Sequence, residues 1–250
     1  MNVAIAGGTG TIGREVARIL ADRGHEVRVL SRSAPVHRVD LLTGEGLDAA
    51  LEGVDALVDA SNQQSDAKGG TAMADASRRM LAAEAAAGVG HHVAVSIVGC
   101  DRVPLPYYRA KTAQERVVED GSVPSTIVRA TQFFDLLDMT FAGIARARVL
   151  PVPRAELQPI AAADAALAVA DAVEAGPGRG RVEAAGPEIR DARDLAGAWR
   201  AARGRRAPVL PLPLPGALGR ALRAGHLTTA APDARGTTTF ESWLSTATPR

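Results

Sequence analysis

The order of short β-branched runs and longer helical stretches over the first 130 residues constrains this chain more than any other feature. Strand-like apolar runs occupy residues 3–6, 26–30, 56–60, 92–98 and 125–130, with helical patterns at 12–23, 47–51, 71–87 and 107–119 between them. A further short strand is expected at 36–41. Strands separated by helices cannot be joined by tight hairpins, so successive strands run parallel with right-handed crossovers. The expected fold class is α/β, a doubly wound parallel sheet with helices on both faces. After residue 130 the rhythm breaks into proline-punctuated segments. That places a dinucleotide-type core at 1–150 and a smaller, less regular α/β portion at 151–250, which would build a substrate pocket. PVLPLPLPG (208–216) suits neither an ordinary helix nor a central strand, and Thr238 and Glu241 stand at capping-box spacing near the end.

GGTGTIG (7–13) directly follows the first strand and opens the first helix. The spacing of Gly7, Gly10 and Gly13 meets three needs: a tight turn, backbone approach to a pyrophosphate, and close helix–strand packing. With Thr9, Thr11 and Ile12, these glycines would present free N–H groups and a partial positive charge to phosphates. The end of the second strand sets which dinucleotide fits. An acid there would bond the ribose of NAD, but this chain has Ser31 and Arg32, and a guanidinium pairs with a 2′-phosphate. NADP(H) is therefore favoured over NAD(H). Asp40, closing the expected third strand, is placed to touch the adenine edge, and Ser61 follows the fourth strand at the cofactor edge of the sheet.

Other functions are disfavoured. A net charge of +1 with no basic face argues against nucleic-acid or membrane partners. The alanine-rich run from Ala161 carries Asp164 and Asp171 seven apart, on one helical face, so it reads as an amphipathic surface helix. Cys100 is the sole cysteine, without an evident activating base, and reads as a bystander. His91 and His92 lack metal-ligand spacing to a third residue, so no metal is expected. No basic leader precedes the apolar run at Asn2, and a cytoplasmic location is expected. Nothing in the sequence sets the oligomeric state.

GGTGTIG, DLLTGEGL, SIVGCDR, YYRAK and TIVRATQFFDLL, spanning most of residues 1–140, resemble the short-chain dehydrogenase/reductase superfamily. The closer resemblance is to its atypical, NmrA-like NAD(P)-binding branch, and QPIAAADAA extends it to about residue 185. The resemblance implies a Rossmann fold and a catalytic serine, tyrosine and lysine. Carried over by position these are Ser96, Tyr107 and Lys111, with eleven residues from Ser96 to Tyr107, slightly short for the family. The helix-four asparagine of the superfamily's proton relay has no counterpart within 71–87. Thr131, Gln132 and Phe133 would lie beside the nicotinamide, with Tyr108 and Trp243 as further pocket residues.

The chemistry of the pair follows from its spacing. Tyr107 and Lys111 lie four apart on one helix face, and Pro106 suits that helix's first turn. Two tyrosines and two lysines scattered over 250 positions give roughly 0.016 expected occurrences of this spacing. A nearby ammonium favours the phenolate, making the phenol a usable general acid. The family likeness adds that Lys111 would hold the nicotinamide ribose and Ser96 would orient the substrate oxygen. The expected function is an NADPH-dependent oxidoreductase acting on a small carbonyl or quinone-like compound. The alternatives are a redox sensor without turnover and an NADP-dependent epimerase or isomerase.

Overall fold

The structure, a computed structural model, describes residues 1–62, 70–178 and 180–247. Its central feature is a seven-stranded sheet of order β11-β8-β5-β4-β3-β1-β2. The chain divides into two compact units that interleave along the sequence.

The first unit comprises residues 1–96, 106–129 and 166–182. It carries β1 (Asn2–Ala6), α1 (Thr11–Asp22), β2 (Glu26–Leu30), α2 (Leu47–Leu51), β3 (Ala56–Asp59), α3 (Ala72–Ala87) and β4 (His91–Ile97). α4 (Pro106–Glu119) and β5 (Ser125–Ala130) follow. β1 pairs in parallel with β2 on one side and β3 on the other, placing Val3 opposite both Val27 and Ala56. Residues 3–6 of β1 are wholly buried, as expected of a strand covered on both faces. The chain leaves β1 toward β2 and leaves β3 toward β4, in opposite directions along the sheet. A crevice therefore opens at the carboxyl ends of β1 and β3, the switch point where such folds hold ligands.

The strand expected at 36–41 does not form. Only an isolated parallel bridge joins Ser31 and Arg38. Pro35 supplies no N–H, and Asp40 turns away to bond the Glu45 carbonyl, so pairing stops after one bridge. Val36 is 78% exposed, whereas Val39 joins Leu30, Leu47, Leu57 and Met80 in a buried cluster. Burial of one valine anchors the segment without a ladder.

The second unit comprises residues 97–105, 130–165 and 183–250. It contains α5 (Phe134–Ala145), β6 (Leu150–Val152), β7 (Glu156–Leu157), β9 (Arg190–Asp191), α7 (Ala192–Ala202), β10 (Val209–Pro211), α8 (Gly216–Arg223), β11 (Ala234–Arg235) and α9 (Phe240–Thr246). α6 (Ala162–Glu174) and β8 (Gly180–Ala185) run through both units in sequence. The proline-rich run yields only the three-residue β10, paired in parallel with β6 in a two-stranded ladder that tolerates its terminal proline. Helix α9 is capped by Thr239, whose side chain accepts from Ser242 N, one residue beyond the Thr238 expected from the sequence. Phe134, Phe240 and Trp243 form an aromatic cluster with ring centroids 5.3–6.1 Å apart. Among the described residues no helix is long and apolar enough to cross a membrane.

Candidate cofactor and catalytic site

The glycine turn is fixed by close approach. Gly7 has φ +75°, and a Cβ there would lie 2.8 Å from the Ala60 carbonyl oxygen and the Ser61 Cα. A Cβ on Gly13 would collide with the Gly7 carbonyl, so α1 can sit this close to β1 only without a side chain. Gly10 N donates to Gly7 O at 2.9 Å, closing the turn, and Gly10 is the N-cap of α1. No side chain caps that helix and no acid lies in its first turn, which leaves its N-terminal charge for an outside anion.

Around this turn lies a cavity of about 300 Å³ lined by Gly7, Thr9, Gly10, Ser31, Arg32, Asp40, Ser61 and Asn62, among others. Seven residues singled out from the sequence thus share one wall, although they come from four separate stretches of chain. Thr11, Ile12 and Gly13 form the first turn of α1 beside it, with Ile12 and Gly13 buried. Arg32 is exposed and makes no hydrogen bond or ion pair with the described residues. Asp40 sits in a turn rather than on a strand, its carboxylate accepting from Leu42 N at 2.8 Å. These residues fit a dinucleotide: a cradle that a Cβ would fill, an uncapped helix start and an unengaged guanidinium.

The Tyr107–Lys111 pair lies on the first turns of α4. Tyr107 is half-buried and its hydroxyl donates to Asn62 Oδ1 at 3.2 Å, so it bonds a residue of the cavity wall. Lys111 is 4% exposed, its ammonium donating to Val95 O at 3.1 Å and Gln114 Oε1 at 2.9 Å. Ser96 is buried and donates its hydroxyl hydrogen to Glu115 Oε1 at 2.6 Å. Glu115 is itself buried and paired with Arg129, whose Nε lies 2.8 Å from Oε1. The Tyr108 ring is tilted 52° to that of Tyr107, with the centroids 6.0 Å apart.

The remaining expected residues lie in the second unit. Thr131 Oγ1 accepts from Gly186 N at 3.3 Å, and the Gln132 amide donates to Leu227 O and accepts from Gln158 N. Phe133 is the N-cap of α5 and bridges Ile160. Trp243 packs on Phe134 and Phe240, with the Arg203 guanidinium 5.9 Å over its ring.

Sequence reasoning passed over Asn62, Asp59, Gln114 and Glu115. Asp59 carried a signal, being a charged residue closing an apolar strand. Gln114 and Glu115 follow Lys111 at three and four residues, the helical spacing that brings side chains together.

The family model described as NAD(P)H-binding matches residues 7–176 of this chain. The chain belongs to this family. It is an atypical short-chain dehydrogenase/reductase, and the central parallel sheet is the Rossmann fold of that superfamily. A (4-alkanoyl-5-oxo-2,5-dihydrofuran-3-yl)methyl phosphate reductase of Streptomyces griseus subsp. griseus is 33% identical over 77% of the chain and 70% of its own length. The photosystem II assembly factor Ycf39 of Cyanophora paradoxa is 28% identical over 54% of the chain, which spans 46% of that relative's length. The NADPH-dependent quinone oxidoreductase QOR2 of Escherichia coli, complexed with NADPH, superposes with a TM-score of 0.80. Its identity is 20%, covering 97% of this chain and 98% of that one. The family thus binds NAD(P)H, and the 33% identical relative is a reductase.

Proposed function

We propose that the protein is an NADPH-dependent reductase of a small carbonyl or quinone-like compound, with Tyr107 as general acid. The observation that carries this reading is the hydrogen bond from Tyr107 to Asn62, a residue of the glycine-loop cavity wall. Gly7, Thr9 and Gly10, with the first turn of α1, would receive the pyrophosphate, and the unengaged Arg32 the 2′-phosphate. Asp40 and Ser61 would border the adenosine half. Bound cofactor supplies the hydride. Tyr107 donates the proton to the oxygen that develops negative charge, and the Lys111 ammonium one turn on favours the resulting phenolate. Ser96 would orient the substrate oxygen, its hydroxyl donating to Glu115 Oε1 in this structure as that of Tyr107 donates to Asn62 Oδ1. Thr131, Gln132, Phe133, Tyr108 and Trp243 remain the proposed nicotinamide and substrate walls.

The test is Tyr107→Phe assayed with NADPH against ketones, aldehydes and quinones. Turnover should fall about 10²–10⁴-fold with NADPH affinity unchanged; full turnover by the variant would sink the mechanism. A sensor reading is favoured by one observation, the inward ties of both Ser96 and Lys111. It would be marked by different affinities for NADP and NADPH, with no turnover across the same panel.

A further inference from the structure

Behind the cavity lie three buried polar groups that the reduction reading does not use, Asp59, Ser77 and Gln114. Asp59, at the end of β3, is 0% exposed. Its Oδ1 accepts from Ser61 N at 3.0 Å and Ser61 Oγ at 2.6 Å. Its Oδ2 accepts from Ser77 Oγ on α3 at 3.1 Å and from Gln114 Nε2 on α4 at 2.9 Å. Gln114 Nε2 also reaches Ser77 Oγ at 3.1 Å. A carboxylate only accepts, so the Gln114 amide nitrogen must face Asp59 and its oxygen must face away. That oxygen receives the Lys111 ammonium at 2.9 Å. One amide therefore joins a buried negative charge to a buried positive one.

The consequence is electrostatic. An ammonium at 4% exposure is costly to keep charged, because burial disfavours the charged form. The other carboxylate on α4 near it, Glu115, is already paired with Arg129 and accepts from Ser96. Arg181 and Glu119 pair at that outer end, 2.6 Å apart. Tyr107, one turn before Lys111, bonds Asn62, which is next in sequence to the Ser61 that Asp59 holds.

We propose that Asp59 and Gln114 are positioning residues, holding Lys111 as a fixed ammonium through the Asp59–Gln114–Lys111 chain. This rests on the reading of Lys111 as the cation of the reductase, but its test is read without turnover. The sequence has two lysines, so Lys68→Arg leaves Lys111 as its one lysine side chain in an NMR spectrum of isotopically labelled lysine. In that background Asp59→Asn and Gln114→Met should each move the Lys111 titration about one pH unit or more downward, since each strips compensation from a buried cation. Asp59→Asn with Gln114→Glu returns a carboxylate to Lys111 and should bring the titration back up. Circular dichroism identifies which variants are folded, and if Asp59→Asn is not, Gln114→Met decides. An unchanged Lys111 titration in a folded Gln114→Met protein would overturn the proposal, as would failure of the charge-relocated pair to restore it. Full activity of Tyr107→Phe would instead remove the reductase reading and leave this titration result standing.

Discussion

The two units bury polar groups in different ways. In the first, buried charged side chains bond other buried side chains: Asp59 with Ser61, Ser77 and Gln114, Glu115 with Arg129 and Ser96, Glu84 with His92. In the second, much of the work is done by neutral amides that tie down backbone. Gln158 donates to Gly186 O at 3.0 Å and accepts from Thr229 N at 2.9 Å, and Gln132 donates to Leu227 O at 3.2 Å. Amides satisfy irregular loops at modest cost, because nothing charged must leave water. Buried charges need a full set of partners, and here they lie behind the glycine-loop cavity. The second unit has its own exception, Asp138, which receives Trp199 and Arg203 between packed aromatics.

The contrast can be broken at its strongest point first. Glu115→Ala should cost about 3–5 kcal/mol in urea unfolding, because it removes the carboxylate paired with the buried Arg129 guanidinium. A loss under about 1 kcal/mol would mean that the charged network is well solvated and the contrast false. Gln158→Met in the second unit should cost less, about 1–3 kcal/mol, by leaving Gly186 O and Thr229 N unpaired, with NADPH affinity unaltered. An exposed charge should behave differently from both. Arg32→Ala should leave the unfolding midpoint in place while weakening NADPH about tenfold or more and sparing NADH, measured by calorimetry. Equal losses for the two cofactors would remove the argument for NADP(H).

The smallest effect concerns pH. Burial pushes the His92 pKa down, but the Glu84 carboxylate outweighs this and holds it above the ordinary value. Its stabilisation is therefore complete below the unfolded value of about 6.5 and fades as pH rises through the folded one. His91, lowered by burial and by its neighbour His92, acts oppositely, contributing above about 6.5 and fading as pH falls through its folded value. Urea midpoints between about pH 5 and 9 should show an alkaline decline in the native protein that His92→Gln lacks. Parallel curves would show that this pair adds nothing pH-dependent.

Most of the first unit was legible because its elements are periodic and local. The strands at 26–30 and 125–130 and the helix at 47–51 fall where the pattern puts them, as β2, β5 and α2. The failures are places where long-range contacts decide. The segment 36–41 has strand-like composition, yet a single buried Val39 and a turn at Asp40 hold it instead. The capping spacing of Thr238 and Glu241 was real in sequence, but Asp164 accepts from Thr238 N at 3.0 Å, and the cap moved to Thr239. Composition could not reveal that competition.

The sequence by itself determined the alternation, the glycine turn and the tyrosine–lysine spacing, because each depends on neighbours within a turn or two of chain. It thereby determined the family and the class of cofactor. Only the tertiary structure decided which partners the polar groups took. Ser96 and Glu115 are nineteen residues apart, and Asp59 and Gln114 fifty-five, so no local pattern links them. Their pairing follows from the sheet order and the packing of α4, which bring buried charges together where water cannot compensate them.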